Sequence, residues 1–141
     1  MTILDIEKAI SIALEAHRGQ KDKGGNPYIL HPLAVMNRVA TIEEKIVAVL
    51  HDVVEDTEIT LDHLRGSGFT EEIVGAIRLL TRSEEDSYEE FILKAAQNTI
   101  SRNVKIADIE ENMNLTRIKE PTEKDYKRLE KYKRALKMLK G

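Results

Sequence analysis

At 141 residues, 41% hydrophobic and 33% charged, the chain has the size and composition of one globular domain with a core of its own. It has no cysteine, which excludes a disulfide framework, a thiolate zinc site and a thiol nucleophile, and which suits a reducing cytoplasm. The net charge of −3 argues against non-specific nucleic-acid binding, and no apolar stretch is long enough to span a bilayer.

Residues 1–5 lack the basic start and apolar stretch of a signal peptide. Thr2 and Asp5 predict a capping box, and Ile6, Ile10, Ala13, Leu14 and His17 recur at the spacing of an amphipathic helix. Residues 19–27 are rich in Gly and Lys and predict a loop, after which Pro32 fits the first turn of a second helix. A second capping box, Thr41 with Glu44, opens a helix expected to run through Ile46, Val47, Leu50, Val53 and Val54. Short turns follow near 61–64, then helices over 71–80, from Ser87 with Glu90, and over 100–115. The last helix starts near Pro121 and Thr122, with Asp125 closing its box and Tyr126, Leu129, Tyr132, Leu136 and Leu139 on one side. Its basic residues over 124–140 read as a solvated face rather than a phosphate tract. Strand signals are weak and repeats absent, so the expected fold is all-α, a single compact helical domain.

The chemistry concentrates in His51-Asp52-Val53-Val54-Glu55-Asp56. Residues four apart share a helix face, which places His51 with Glu55 and Asp52 with Asp56. The preceding run Ile46-Val47-Ala48-Val49-Leu50 predicts burial, and buried carboxylates need a counter-charge that a divalent cation supplies well. In Val104-Lys105-Ile106-Ala107-Asp108, an apolar approach leads to another carboxylate, with Asn112 one turn on. Imidazoles and carboxylates together suit Mn, Fe, Co, Ni or Zn better than Mg or Ca.

Four blocks in order carry a resemblance over about residues 9–115. They are Ala16-His17-Arg18-Gly19-Gln20, Pro27-Tyr28-Ile29-Leu30-His31-Pro32-Leu33, His51 to Thr57, and Lys105-Ile106-Ala107-Asp108 with Asn112-Met113. On these the chain resembles the HD-domain metal-dependent phosphohydrolases of the RelA/SpoT hydrolase type, in particular the free-standing small alarmone hydrolases. The resemblance implies one HD-type domain over 1–141, with 121–141 as packing helix or homo-oligomer surface. It implies His31, His51, Asp52 and Asp108 as metal ligands, Mn2+ as the usual ion, and Glu55 and Asp56 as the acidic pair that handles the attacking water. Lys23 matches one half of a basic pair near nucleobase and phosphates, and Asn112 matches a substrate-contacting amide; Lys21 and Arg18 are further candidates to offset phosphate charge. The implied activity is removal of the 3′-pyrophosphate of guanosine tetra- or pentaphosphate in the cytoplasm, with no synthetase activity.

Three positions depart from that pattern: Asp22 stands where Arg is usual, Ile109 where the block commonly continues Arg-Leu-His, and Leu115 where a hydroxyl is usual. Substrate identity is therefore open to another purine nucleotide, an adenosine alarmone or the 2′-phosphate of NADPH, and a non-catalytic nucleotide-binding module is the rival from another class. His17 reads as a hydrogen-bonded core histidine and His63 as a surface residue, while Glu110 and Glu111 divide between the site and a wet face.

Overall fold

In the computed structural model, which describes residues 1–114 and 120–141, the apolar run from the centre of the sequence is also the centre of the molecule. Among the described residues there are nine helices: α1 (Ile3–Ala16), α2 (Leu30–Met36), α3 (Ile42–Leu50), α4 (Val53–Asp56), α5 (Leu61–Gly66), α6 (Glu71–Leu79), α7 (Tyr88–Ala95), α8 (Thr99–Asn112) and α9 (Glu123–Lys140). The one β-pairing among them is an isolated antiparallel bridge between Lys21 and Pro27. The chain is all-α, as its periodicity predicts. No described helix is long and apolar enough to cross a membrane.

Helix α3 is buried on every side from Ile46 to Leu50 and packs against α1, α2, α6 and α8. Capping chemistry sets where helices begin. Thr2 with Asp5, Thr41 with Glu44, Ser87 with Glu90 and Thr122 with Asp125 each form the reciprocal box that satisfies end-of-helix N–H groups.

Several details differ from the sequence reading. The expected helix through Val54 is divided: α3 stops at Leu50, His51 caps it, and Asp52 starts α4. The His51 side chain turns back onto the Ala48 carbonyl, while the Asp52 carbonyl accepts from Asp56 N–H at 2.9 Å. The side-chain bond of His51 takes the place of helix continuity where His51 meets Asp52. In α1 the buried stripe is Ala9, Ala13 and His17, and Leu14 is left 49% exposed beside Pro27 and Ile29. Tyr126 is likewise exposed; Ala135 and Leu139 are the buried positions of α9. Helix α8 is described to Asn112, and Leu115 lies outside the described residues.

Two of the departures have structural causes. Asp22 Oδ1 accepts the backbone N–H groups of Gly24 and Asn26, both at 2.9 Å, and so ties the 20–27 loop into a turn. Gly25, at φ +82°, takes the left-handed conformation that this turn requires. Ile109 is fully buried with Ile92, Ala135 and Leu139, where it seats α9 against α7 and α8.

Candidate metal centre and active-site cleft

Three elements deliver the polar groups at the centre. His31 sits in the first turn of α2, His51 and Asp52 at the α3–α4 junction, and Asp108 in the last half of α8. One ligand atom from each of His31, His51 and Asp52 falls within 4.8 Å of the others. Asp108 reaches the same point from α8. Its Oδ1 is 2.8 Å from His31 Nε2 and 3.5 Å from His51 Nε2, and Asp52 Oδ2 is 3.1 Å from His51 Nε2. Both imidazoles and Asp108 are buried.

The His51 ring has a defined chemistry. The carbonyl of Ala48 only accepts, so Nδ1 carries the proton. Nε2 then faces two carboxylates without a well-directed hydrogen bond. A neutral ring would aim its lone pair at anionic oxygens. Burial disfavours the imidazolium, yet Asp52 and Asp108 outweigh it and raise His51 well above its ordinary value. Burial also disfavours the Asp108 carboxylate, but Lys105 and the two histidines hold it well below the usual range. A divalent cation would satisfy the orphan nitrogen and the surplus carboxylates together, and the mixed N/O donor set suits one. The residues fit the group that the resemblance implies.

Tyr28 supports this arrangement. Its hydroxyl donates to Asp52 Oδ2, and its ring lies between those of His17 and His31, at 5.0 and 5.8 Å. Burial and the Asp52 charge push the phenol far up, so it stays a donor. His17 is buried behind it with Nδ1 2.9 Å from Gln20 Oε1, and His63 is exposed on α5.

The centre forms the base of a cleft of about 490 Å3. Glu55 and Asp56 line it next to His51 and Asp52, and burial together with the Asp52 charge pushes both carboxyls up. Lys21, Lys23 and Asn112 also line the cleft; the Asn112 amide donates to Asp108 Oδ1 at 3.3 Å. Arg18 does not join them. It is exposed, pairs with Glu15 at 2.8 Å, and borders a separate cleft of about 290 Å3 with Leu14 and Gly19. Arg18 directly follows the buried His17 past the end of α1 and points to solvent, which sequence proximity to the loop concealed. Glu111 is buried, borders the main cleft and accepts from Arg38 at 2.8 Å, whereas Glu110 faces Lys140 at 3.5 Å.

Sequence reasoning missed part of the lining. Arg128 and Tyr132, one turn apart on α9, face the cleft, joined by Arg82 and Lys105. The basic run of α9 is therefore not wholly a solvated face: Lys127 and Lys133 are exposed, but Arg128 looks inward beside Lys23. The Arg-x-x-x-Tyr spacing was the available signal, masked by the lysines around it.

Buried imidazoles and carboxylates converging at the base of a cleft in an all-helical domain define the His/Asp, or HD, class of metal site. No family model matches the chain. The chain is 31% identical over 121 residues, 77% of its length and 17% of the relative's, to a guanosine-3′,5′-bis(diphosphate) 3′-pyrophosphohydrolase of Aquifex aeolicus. It is 34% identical over 116 residues (72% of the chain, 17% of the relative) to a protein of the same name from Haemophilus influenzae. A GTP pyrophosphokinase of Streptomyces coelicolor is 47% identical over 68 residues, 45% of the chain and 8% of that protein. A solved structure described as a metazoan ortholog of SpoT that hydrolyses ppGpp shares the fold, with a TM-score of 0.81 at 22% identity over 100% of this chain and 88% of that one. The chain is thus related to the RelA/SpoT hydrolases, and the match spans only 8% to 17% of these curated relatives' length.

Proposed function

We propose that the chain is a metal-dependent 3′-pyrophosphohydrolase of the guanosine alarmones ppGpp and pppGpp, releasing pyrophosphate and leaving GDP or GTP. The observation that carries this reading is the convergence of His31, His51, Asp52 and Asp108 beneath a cleft lined by Lys21, Lys23, Arg82 and Arg128. In it these four residues hold a divalent ion, Mn2+ by resemblance, and the whole of 1–141 is one HD-type domain with α9 as its packing helix. The relatives' names support the substrate, and the absence of cysteine suits a cytoplasmic enzyme.

The bound cation would supply Lewis acidity, making water a competent nucleophile near neutral pH. Glu55 and Asp56 orient that water and take its proton on a carboxylate oxygen, a task favoured by their raised affinity for protons. The water oxygen bonds to the phosphorus that carries ribose O3′, the P–O3′ bond breaks, and O3′ takes the proton held by the Glu55–Asp56 pair as pyrophosphate departs. Lys21, Lys23, Arg82 and Arg128 offset the phosphate charges, and Tyr132 and Asn112 offer polar contacts and a ring face near the base.

The Asp22 carboxylate at the cleft favours one second reading, in which the same chemistry serves another purine nucleotide. A nucleotide panel with Mn2+ and product identification separates the two. Pyrophosphate from ppGpp, lost in His51→Ala, is the expected result. Orthophosphate from a different nucleotide supports the second reading, and Mn2+ binding with no turnover of any nucleotide overturns both.

A further inference from the structure

Lys105 has no part in the reaction as described, yet its ammonium is at the base of the cleft on a side chain only 12% exposed. Lys105 and Asp108 are one turn apart on α8, so their side chains meet on one face. Lys105 Nζ donates to Asp108 Oδ2 at 2.9 Å. The other oxygen of the same carboxylate, Oδ1, faces His31 Nε2, His51 Nε2 and the Asn112 amide. The ammonium is itself seated, 4.6 Å from the centroid of the Phe91 ring on α7. The two oxygens of Asp108 therefore have separate duties.

We propose that Lys105 is a positioning residue that fixes the orientation of the Asp108 carboxylate, so that Oδ1 alone is presented to the cation. Without the ammonium, Oδ2 is a buried acceptor with no charge-assisted partner, and the carboxylate is free to turn about its terminal bond. A freely turning ligand meets the cation less often in the right geometry, and groups that orient metal ligands typically govern about 10- to 100-fold in affinity. A purely electrostatic role predicts the opposite sign, because removing a positive charge beside a cation site tightens cation binding. The direction of the change decides between them.

The inference rests on the metal site of the proposed function. The test is calorimetric titration of Mn2+ into the full chain as wild type, Lys105→Met and Lys105→Arg, with helicity and thermal melting followed in chelator. Methionine keeps the stem on Phe91 and removes the head. Lys105→Met is expected to bind Mn2+ about 10- to 100-fold more weakly, with metal-free melting close to wild type, and Lys105→Arg to recover most of the loss. Equal or tighter binding by Lys105→Met overturns the inference while leaving the metal site standing. Wild type that takes up no Mn2+ removes both. If Lys105→Met does not fold, Phe91→Leu, which loosens the ammonium's seat but keeps its charge, is titrated instead. Several-fold weaker binding supports the assignment, and unchanged binding overturns it.

Discussion

The wall of the cleft built from His31, His51, Asp52 and Asp108 differs from the wall built from Lys21, Lys23, Arg82 and Arg128 in burial and in what holds it. The first comes from helix segments packed on α3, and each of its side chains is tied down: Asp52 by Tyr28, His51 by the Ala48 carbonyl, and Asp108 by His31 and Lys105. The second comes from the 20–27 loop, the segment after α6 and one face of α9, and its lysines and Arg82 are exposed. Buried charges persist only where every partner is fixed, so the first wall is preorganised. Exposed cations are screened and adaptable, which suits recognition of phosphates rather than chemistry on them. On the proposed function, chemistry belongs to the rigid wall and substrate choice to the soft one.

Glu55→Gln is the sharpest way to break that division. It removes the proposed base next to the rigid wall without touching His31, His51, Asp52 or Asp108. The expected outcome is a fall in kcat of about 10^2- to 10^4-fold, with Mn2+ affinity measured by calorimetry close to wild type. A loss of metal binding equal to the loss of rate would place Glu55 among the ligands and redraw the boundary between the two functions.

A smaller effect is expected from the other wall. Arg128→Ala deletes one charge-assisted contact, so KM should rise by about tenfold or more while kcat and Mn2+ affinity stay near wild type. Steady-state kinetics at two ionic strengths checks this, since added salt should narrow the gap between variant and wild type. An unchanged KM with reduced kcat would move Arg128 from recognition into the chemical step.

The same contrast explains what was legible in the sequence. Three residues of the rigid wall are written in local pattern: an apolar run ending at His51-Asp52, and another approaching Asp108, announce buried polar groups that need a partner, whereas His31 follows only from the family resemblance. Caps are equally legible, because a capping box is a contact between residues three apart. The soft wall is a tertiary product. The spacing to Tyr132 hints at Arg128 among its lysines, but only the docking of α9 through Ala135 and Leu139 turns it inward and leaves Lys127 in water. The division of α3 from α4 was hidden for a related reason, since side-chain bonds to backbone carbonyls break a helix that its apolar periodicity continues. Asp22 and Ile109 read as departures in a functional pattern, and both turn out to be committed to structure, one to a loop and one to a helix interface.

The rigid wall has its own support at a distance, and this gives the smallest predicted effect. Glu44, buried in the first turn of α3, closes the Thr41 box with one oxygen and accepts from Asn103 Nδ2 of α8 at 2.6 Å with the other. It joins the two helices that carry His51 and Asp108. Burial disfavours the carboxylate, but hydrogen bonds from Asn103 and Thr41 outweigh it and hold Glu44 below its ordinary value. A carboxyl with a depressed folded-state value contributes stability that is present above its ordinary value and is lost as pH falls through the depressed one. Glu44→Gln should therefore cost about 1 kcal/mol at pH 7, with Mn2+ affinity little changed. The difference should shrink as the pH drops below the ordinary glutamate value of about 4.3 and vanish below the folded-state value. Denaturant melts of both proteins along a pH series measure it. A gap that stays constant across the series would mean that Glu44 acts by packing rather than by charge, and the link between α3 and α8 would then owe nothing to the ionised carboxylate.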